Sequence, residues 1–148
     1  MKSVSLISAV LFVVTIVLSG EASGEFTESC MRCICRQEGC QSQVGKCRYD
    51  VTGHACGPYQ IHYNYWLDCH KPGGSWQECT KDMACSEKCI KAYMKRYGKY
   101  CTKGREPTCE DYARIHNGGP WGCRYQSKYT KERNLRNYWA AVSGHGSC

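Results

Sequence analysis

The 148-residue sequence lacks the short motifs that mark several common kinds of active site. It contains no G-x-S-x-G nucleophile motif, no H-E-x-x-H zinc motif and no glycine-rich phosphate loop. It also lacks internal repeats, low-complexity tracts and runs of more than two consecutive lysine or arginine residues. The fourteen cysteines form an even number, so no thiol is obviously left free as a nucleophile. These absences leave carboxylate side chains as the best candidates for chemistry.

The first 24 residues predict an export signal. Lys2 precedes the apolar run VSLISAVLFVVTIVL, and small residues follow it in GEASG, as in a secretory signal peptide. We expect cleavage after Ala22 or Gly24, a secreted and extracellular product, and a single domain over residues 25–148. The alternative is an uncleaved membrane anchor, which the position of the run at the N-terminus disfavours. We expect no stable membrane insertion.

The charge balance favours an anionic polymer as binding partner. The sequence has 20 lysine and arginine residues against 13 aspartate and glutamate residues, a net charge of +7. Removal of residues 1–24 would not change this value, because Lys2 and Glu21 cancel. A basic surface without long lysine or arginine runs suits a bacterial wall or acidic glycans. Nucleic acid is not an expected partner, because the secretory route argues against it.

Cysteine usage predicts a disulfide framework. An even count at this density predicts seven bonds in an oxidising compartment, with their pairing left open. A zinc site is the alternative, since C-x-x-C and C-x-C occur near the start of the domain, but no second C-x-x-C follows and the five histidines form no paired motif. We expect neither a metal nor a cofactor. The cysteines are Cys30, Cys33, Cys35, Cys40, Cys47, Cys56, Cys69, Cys79, Cys85, Cys89, Cys101, Cys109, Cys123 and Cys148.

Periodicity and turn residues predict an α+β domain with several short helices and one small antiparallel hairpin or sheet. The first helix should begin near Thr27 or Ser29 and end at Glu38, because Gly39 favours a stop. The hairpin is predicted over residues 45–60, with a turn at Thr52 and Gly53. Further helices are predicted over residues 81–97, from Thr108 to HNGGP, and in KERNLRNYWAAV.

Two carboxylates are candidates for catalysis. Cys30, Ile34 and Glu38 share one face of the first helix, so the face that should meet the core ends in a carboxyl group. Such a carboxyl loses solvation, which favours its protonated form. Asp50 comes at the end of the first predicted strand, in a more polar setting. Glycoside hydrolysis needs one protonated and one ionised carboxyl, but Asp50 is equally compatible with an ordinary turn residue.

The aromatic residues suggest a sugar polymer as ligand, because tyrosine and tryptophan faces pack against sugar rings while their polar ends form hydrogen bonds. Four of them are expected in the core, namely Tyr93, Tyr97, Tyr138 and Trp139. Four others follow the hairpin and are expected to line a groove, namely Tyr59, Tyr63, Tyr65 and Trp66.

Five stretches, in order along the chain, resemble the invertebrate-type, or destabilase-like, lysozymes. They are CMRCICRQEGC, CRYDV, ACGPYQIHYNYWLDC, CSEKCIKAYMKRY and CEDYARIHNGGPWGC, which together run from Cys30 to Cys123. Members of that family are secreted enzymes that hydrolyse the β-1,4 bond between N-acetylmuramic acid and N-acetylglucosamine in peptidoglycan. The resemblance therefore implies a lysozyme-like domain and an antibacterial muramidase that acts on bacterial walls.

The same resemblance implies roles for individual residues. Glu38, which follows the C-x-C pair, would be the general acid, and Asp50 in CRYDV the nucleophile or charge stabiliser. Tyr93 would lie at the floor of the cleft. The implied substrate-binding residues are Gln60, His62, Tyr63, Asn64, Tyr65, Trp66, Asp68, Tyr93, His116, Asn117 and Gly118.

The sequence departs from the family pattern in two places. The family commonly has E-S-G-C after its acid, whereas Glu38 is followed directly by Gly39 and Cys40. Some members also have isopeptidase activity linked to a serine before the C-G pair, where this chain has Ala55. We therefore expect weak or absent isopeptidase activity. A cationic antimicrobial or glycan-binding protein without hydrolysis is the other alternative, and we expect a monomer, with a dimer as the alternative.

Overall fold

The computed structural model describes residues 25–50, 53–124 and 130–148, without the side chains of Asp50 and Thr130. The predicted signal segment, residues 1–24, lies outside the described residues, as does Thr52 of the predicted turn. Within the described part of the chain, no helix is long and apolar enough to cross a membrane.

Helix α1 spans Glu28–Glu38, as the sequence predicts. The Thr27 side chain accepts a hydrogen bond from the backbone N–H of Cys30, which caps the first turn. Gly39 ends the helix with a φ of 102°, a left-handed conformation that glycine adopts without steric cost. The predicted inner face is confirmed, since Cys30 and Ile34 are buried.

The predicted hairpin is the larger part of a three-stranded antiparallel sheet. Strand β1 spans Cys47–Asp50, β2 spans Gly53–Cys56 and β3 spans Ile61–His62, in the order β1-β2-β3. Asp50 pairs with Gly53 and Cys47 with Cys56 across the hairpin. The two-residue third strand was not predicted, because it is too short to show alternation.

Two helices of six residues each follow the sheet and were not predicted. Helix α2 spans Tyr63–Asp68 and α3 spans Trp76–Lys81. Neither is long enough to show helical periodicity in the sequence. The Ser75 hydroxyl accepts from the backbone N–H of Glu78 and caps α3.

Helix α4 spans Met83–Thr102, so the predicted bounds of 81–97 are wrong at both ends. It begins later because the Asp82 carboxylate caps it by accepting from the N–H of Cys85. It continues past Gly98 to Thr102, and Gly98 permits close packing there, since a Cβ would lie 3.0 Å from both Pro107 and Tyr112. The predicted buried stripe is confirmed at its centre, where Cys89, Ile90, Tyr93 and Met94 are buried.

The last two helices agree with the sequence prediction. Helix α5 spans Cys109–Gly118 and has a full capping box between Thr108 and Asp111. Helix α6 spans Thr130–Ser143 and buries Leu135 and Val142. Short 3₁₀ turns span Cys40–Gln43 and Gly122–Arg124.

Seven disulfides connect these elements, which confirms the cysteine prediction, because every cysteine is bonded to another. Two of them hold α1 to distant parts of the chain: Cys30 bonds to Cys109 at the start of α5, and Cys33 to Cys148 at the C-terminus. The others are Cys35–Cys40, Cys47–Cys56, Cys69–Cys89, Cys79–Cys85 and Cys101–Cys123. The predicted α+β, disulfide-rich class is confirmed.

Candidate active site

Glu38 is the last residue of α1, and its side chain is 18% exposed. Ile34, one turn earlier on the same face of the helix, is buried in the core and anchors this end of the helix. The Cys35–Cys40 disulfide closes the turn that follows Glu38. The C-terminal end of a helix carries partial negative charge, which disfavours an added negative charge nearby.

The Glu38 carboxyl group accepts a hydrogen bond from a residue of the last helix. The Tyr138 hydroxyl donates to Oε1 of Glu38 over 2.6 Å. Burial, followed by the charge of Glu38 and this hydrogen bond, raises the pKa of Tyr138 well above its ordinary value. The tyrosine therefore remains a neutral donor across the physiological pH range and fixes the position of one carboxyl oxygen.

His116 lies beside the same oxygen, with Nε2 at 3.7 Å from Oε1 of Glu38. Burial lowers the pKa of His116 to about 4, although its hydrogen bond to the Tyr59 carbonyl opposes this shift and nearby His62 adds to it. The imidazole is therefore neutral above that pH. Although the distance would fit an ion pair, the contact with Glu38 is between a carboxyl group and an uncharged ring.

The partners of His116 define which ring nitrogen carries the proton. Nε2 lies 3.0 Å from the Tyr59 carbonyl oxygen, which can only accept, so Nε2 carries the hydrogen in the neutral ring. Nδ1 then accepts from the Tyr65 hydroxyl over 3.2 Å. Tyr65 in turn stacks on Tyr93, with ring centroids 3.5 Å apart. The carboxyl of Glu38 thus sits above a fixed network of neutral polar groups.

Asp50 occupies the last position of β1, opposite Gly53. Its backbone position is the one that the sequence predicts, at the end of the first strand of the hairpin. Its side chain is outside the described part of the structure, so its role beside Glu38 stays a prediction that rests on the resemblance.

Three of the implied substrate-binding residues meet at an open cavity of about 540 Å³ between the sheet and α2. They are His62, Tyr63 and Asn64, and the cavity is completed by Gly53, His54 and Trp76. Tyr63 is 51% exposed, and its ring lies between those of Trp66 and Trp76, with centroids 5.9 and 5.8 Å away. An exposed ring fixed by two tryptophans is suited to contact a sugar ring.

The other aromatic residues expected to line the groove are buried. Tyr59 is 1% exposed, and Tyr65 and Trp66 are each 8% exposed, so the expectation of a groove lined by all four is wrong for these three. Tyr65 is buried because α2, which the sequence did not reveal, turns its ring onto Tyr93 of α4. The expected core position of Tyr93 is confirmed by its 3% exposure.

The remaining implied binding residues are dispersed. The Gln60 side-chain amide donates a hydrogen bond to the Gly57 carbonyl over 2.7 Å. Asp68 ends α2 and pairs with Arg96 over 3.4 Å. Asn117 is exposed near the end of α5. Gly118 permits close packing against α6, since a Cβ there would lie 2.8 Å from Leu135.

Tyr138 was expected only in the core and not as a site residue. The helical phase of α6 correctly predicts a partly buried side chain, but no sequence signal indicates a partner 100 residues away. An alignment of related sequences is the type of information that could have linked the two positions.

Comparison with known proteins places this chain in a family. The family model described as Destabilase matches residues 27–140. The chain is 43% identical over 141 residues to a lysozyme of Magallana gigas, covering 95% of this chain and 94% of that one. It is 42% identical over 125 residues to Lysozyme 1 of Crassostrea virginica, covering 84% of this chain but spanning only 62% of that protein's length.

Two solved structures of lysozymes also resemble this chain. The crystal structure of Tapes japonica lysozyme has a TM-score of 0.70 at 37% identity and covers 82% of this chain and 92% of that one. An inhibitor-bound lysozyme from Meretrix lusoria has the same TM-score and identity and covers 85% of this chain and 94% of that one. From the family match, these identities and the shared fold, it follows that this chain belongs to the destabilase-like family of invertebrate-type lysozymes.

Proposed function

We propose that this protein is a secreted antibacterial muramidase that cleaves the β-1,4 bond between N-acetylmuramic acid and N-acetylglucosamine in peptidoglycan. Its family and its relatives make it a glycoside hydrolase of the lysozyme type. The observation that carries the residue assignment is the partly buried Glu38 carboxyl at the end of α1, held by Tyr138 beside a neutral histidine. We assign Glu38 as the general acid and Asp50 as its partner.

The hydrogen bond from Tyr138 supports a specific place for the acid proton. Oε1 of Glu38 accepts from the Tyr138 hydroxyl, so the proton of the neutral acid belongs on Oε2. From there it would pass to the glycosidic oxygen as the bond to the anomeric carbon breaks. Asp50 then attacks that carbon or stabilises its positive charge, and water completes hydrolysis while a proton returns to Glu38.

We further propose that residues 1–24 form the signal peptide and residues 25–148 the mature domain, with peptidoglycan as the partner. The seven disulfides fit an extracellular protein, because such bonds persist in oxidising compartments. The net charge of +7 suits adsorption to an anionic wall.

The test is loss of turbidity of Gram-positive cell walls, with release of new reducing ends, for the wild type, Glu38→Gln and Asp50→Asn. We expect a fall of about a hundredfold or more for Glu38→Gln, because general acid catalysis typically contributes at least that factor. Glu28→Gln is the matched control, since Glu28 lies on the same helix, is exposed, and gives the same change in net charge. Unchanged lysis by the Glu38 variant would exclude the assignment.

A second candidate is non-enzymatic killing or glycan binding, which the charge of +7 favours. It predicts killing that persists in both acid variants and decreases with rising salt, because ions screen the attraction. Isopeptidase action has less support. The position at which some family members have a serine is Ala55, which is 2% exposed in β2 and offers no nucleophile.

A further inference from the structure

A group of aromatic side chains lies on the surface at the C-terminal end of α4, outside the cavity by the sheet. Tyr100 and Trp121 are 44% and 46% exposed, and their ring centroids lie 4.8 Å apart. The ring of Tyr97 follows at 6.1 Å from that of Tyr100. We call these three residues the aromatic surface. Large apolar side chains grouped in this way on a protein surface are typical of binding sites.

The rings of the aromatic surface are held in place before any ligand binds. The Arg124 guanidinium lies 4.5 Å from the Trp121 ring centroid and 5.0 Å from that of Tyr100. Arg124 is itself fixed, because it donates to the backbone carbonyls of Tyr100 and Cys101 at the end of α4. A rigid exposed ring binds a ligand with less loss of side-chain entropy than a mobile one.

The aromatic surface is linked to the proposed catalytic site by ring contacts that run through the core. The ring of Tyr97 lies 4.7 Å from that of Tyr93, which stacks on Tyr65, the hydrogen-bond partner of His116. The link from Trp121 to the neighbourhood of Glu38 therefore passes through neighbouring rings, of which those of Tyr93 and Tyr65 are buried.

We propose that the aromatic surface is an accessory sugar-binding site for the same glycan strand, away from the bond that is cleaved. The proposal rests on the proposed function. Exposed tyrosine and tryptophan rings offer apolar faces to a sugar ring. Arg124, whose guanidinium lies 4.5 Å from the Trp121 ring centroid, adds positive charge beside them. This charge complements an acidic sugar such as N-acetylmuramic acid.

The experiment measures binding and hydrolysis separately. Binding to purified insoluble peptidoglycan is measured in the Glu38→Gln background, with and without Trp121→Ala. We expect the Trp121 substitution to weaken binding about three- to tenfold, the effect of losing one good aromatic contact. In the active enzyme, KM for walls should rise similarly. The turnover of a soluble oligosaccharide too short to span both sites should not change.

The controls separate stacking from charge and from folding. Trp121→Ala leaves the net charge unchanged, whereas Lys88→Ala removes one exposed positive charge elsewhere on α4. Trp121→Phe should restore most of the binding, because it retains an aromatic face. Wall binding equal to the parent in Trp121→Ala overturns the proposal, and so does an equal loss on the short substrate. If the wild type itself releases no reducing ends from walls, the proposed function fails, while the binding comparison still decides whether the surface holds glycan.

Discussion

The hydroxyl of Tyr138 donates a hydrogen bond to Oε1 of Glu38 over 2.6 Å, although the two residues are 100 positions apart. This contact joins the last helix of the domain to the last residue of the first. Further links hold the same ends of the chain together, including the Cys33–Cys148 disulfide and a hydrogen bond of 2.9 Å from Arg36 to the His145 carbonyl. The C-terminal segment therefore positions the proposed acid as well as closing the core.

Removal of the Tyr138 hydroxyl should disturb Glu38 without disrupting α6. Tyr138→Phe retains the ring and loses the donor, so we expect the free energy of unfolding to fall by about 1 kcal/mol. The rate of wall hydrolysis should fall about tenfold or more, because the carboxyl loses the contact that orients it. The high-pH limb of the rate profile should move to higher pH, because the ionised form loses a stabilising donor. Turnover against pH and chemical denaturation measure these effects.

Tyr49→Phe is the matched control, because it removes a hydroxyl from a tyrosine that is 79% exposed. Its pH profile should overlay that of the wild type. A Tyr138→Phe enzyme with lower stability but an unshifted pH profile would show that Tyr138 is only a packing residue.

The buried His116 should make stability depend on pH. Its pKa is about 4 in the folded protein, below the ordinary value of 6.5. Between these two pH values the unfolded chain therefore binds a proton that the folded protein does not. The contribution of neutral His116 to the free energy of unfolding is fully present above pH 6.5. It is lost as the pH falls toward 4, by about 3 kcal/mol. His116→Gln keeps a donor for the Tyr59 carbonyl and removes the titration. The free energy of unfolding should therefore fall less steeply between pH 6.5 and 4 in this variant, and identical slopes would contradict the prediction.

The parts of the fold that were predicted correctly carry their signals locally. Helices α1 and α5 are capped by Thr27, Gly39 and Thr108, which lie next to the helix ends in the sequence. The end of α4 was predicted too early because its apolar stripe ends at Tyr97, whereas the helix continues over Gly98, which packs closely against Pro107 and Tyr112.

In the candidate site too, local features were predicted correctly, whereas contacts between separate elements were not. The helical phase predicts that Glu38 lies at the edge of the core, and the hairpin signal places Asp50 at a strand end. The burial of Tyr65 and the contact of Tyr138 with Glu38 both depend on how separate helices pack. Disulfide pairing also depends on packing, so the sequence could supply the number of bonds but not the partners.

The position of α6, and with it Tyr138, depends on a buried ion pair. Arg114 of α5 donates to Glu132 of α6 over 2.6 Å, and their side chains are 10% and 6% exposed. Arg114 also contacts Glu110 over 3.2 Å, but the Glu110 side chain is 43% exposed. Glu132→Ala leaves a buried guanidinium without this partner, so we expect a loss of about 3 to 5 kcal/mol in the free energy of unfolding.

Glu110→Ala, the matched control with the same change in charge, should cost less than about 1 kcal/mol because water already screens that contact. Because the ion pair holds α6 against α5, wall hydrolysis should fall in the Glu132 variant and persist in the Glu110 variant. Equal effects of the two substitutions on denaturant unfolding would show that burial does not set the value of this contact.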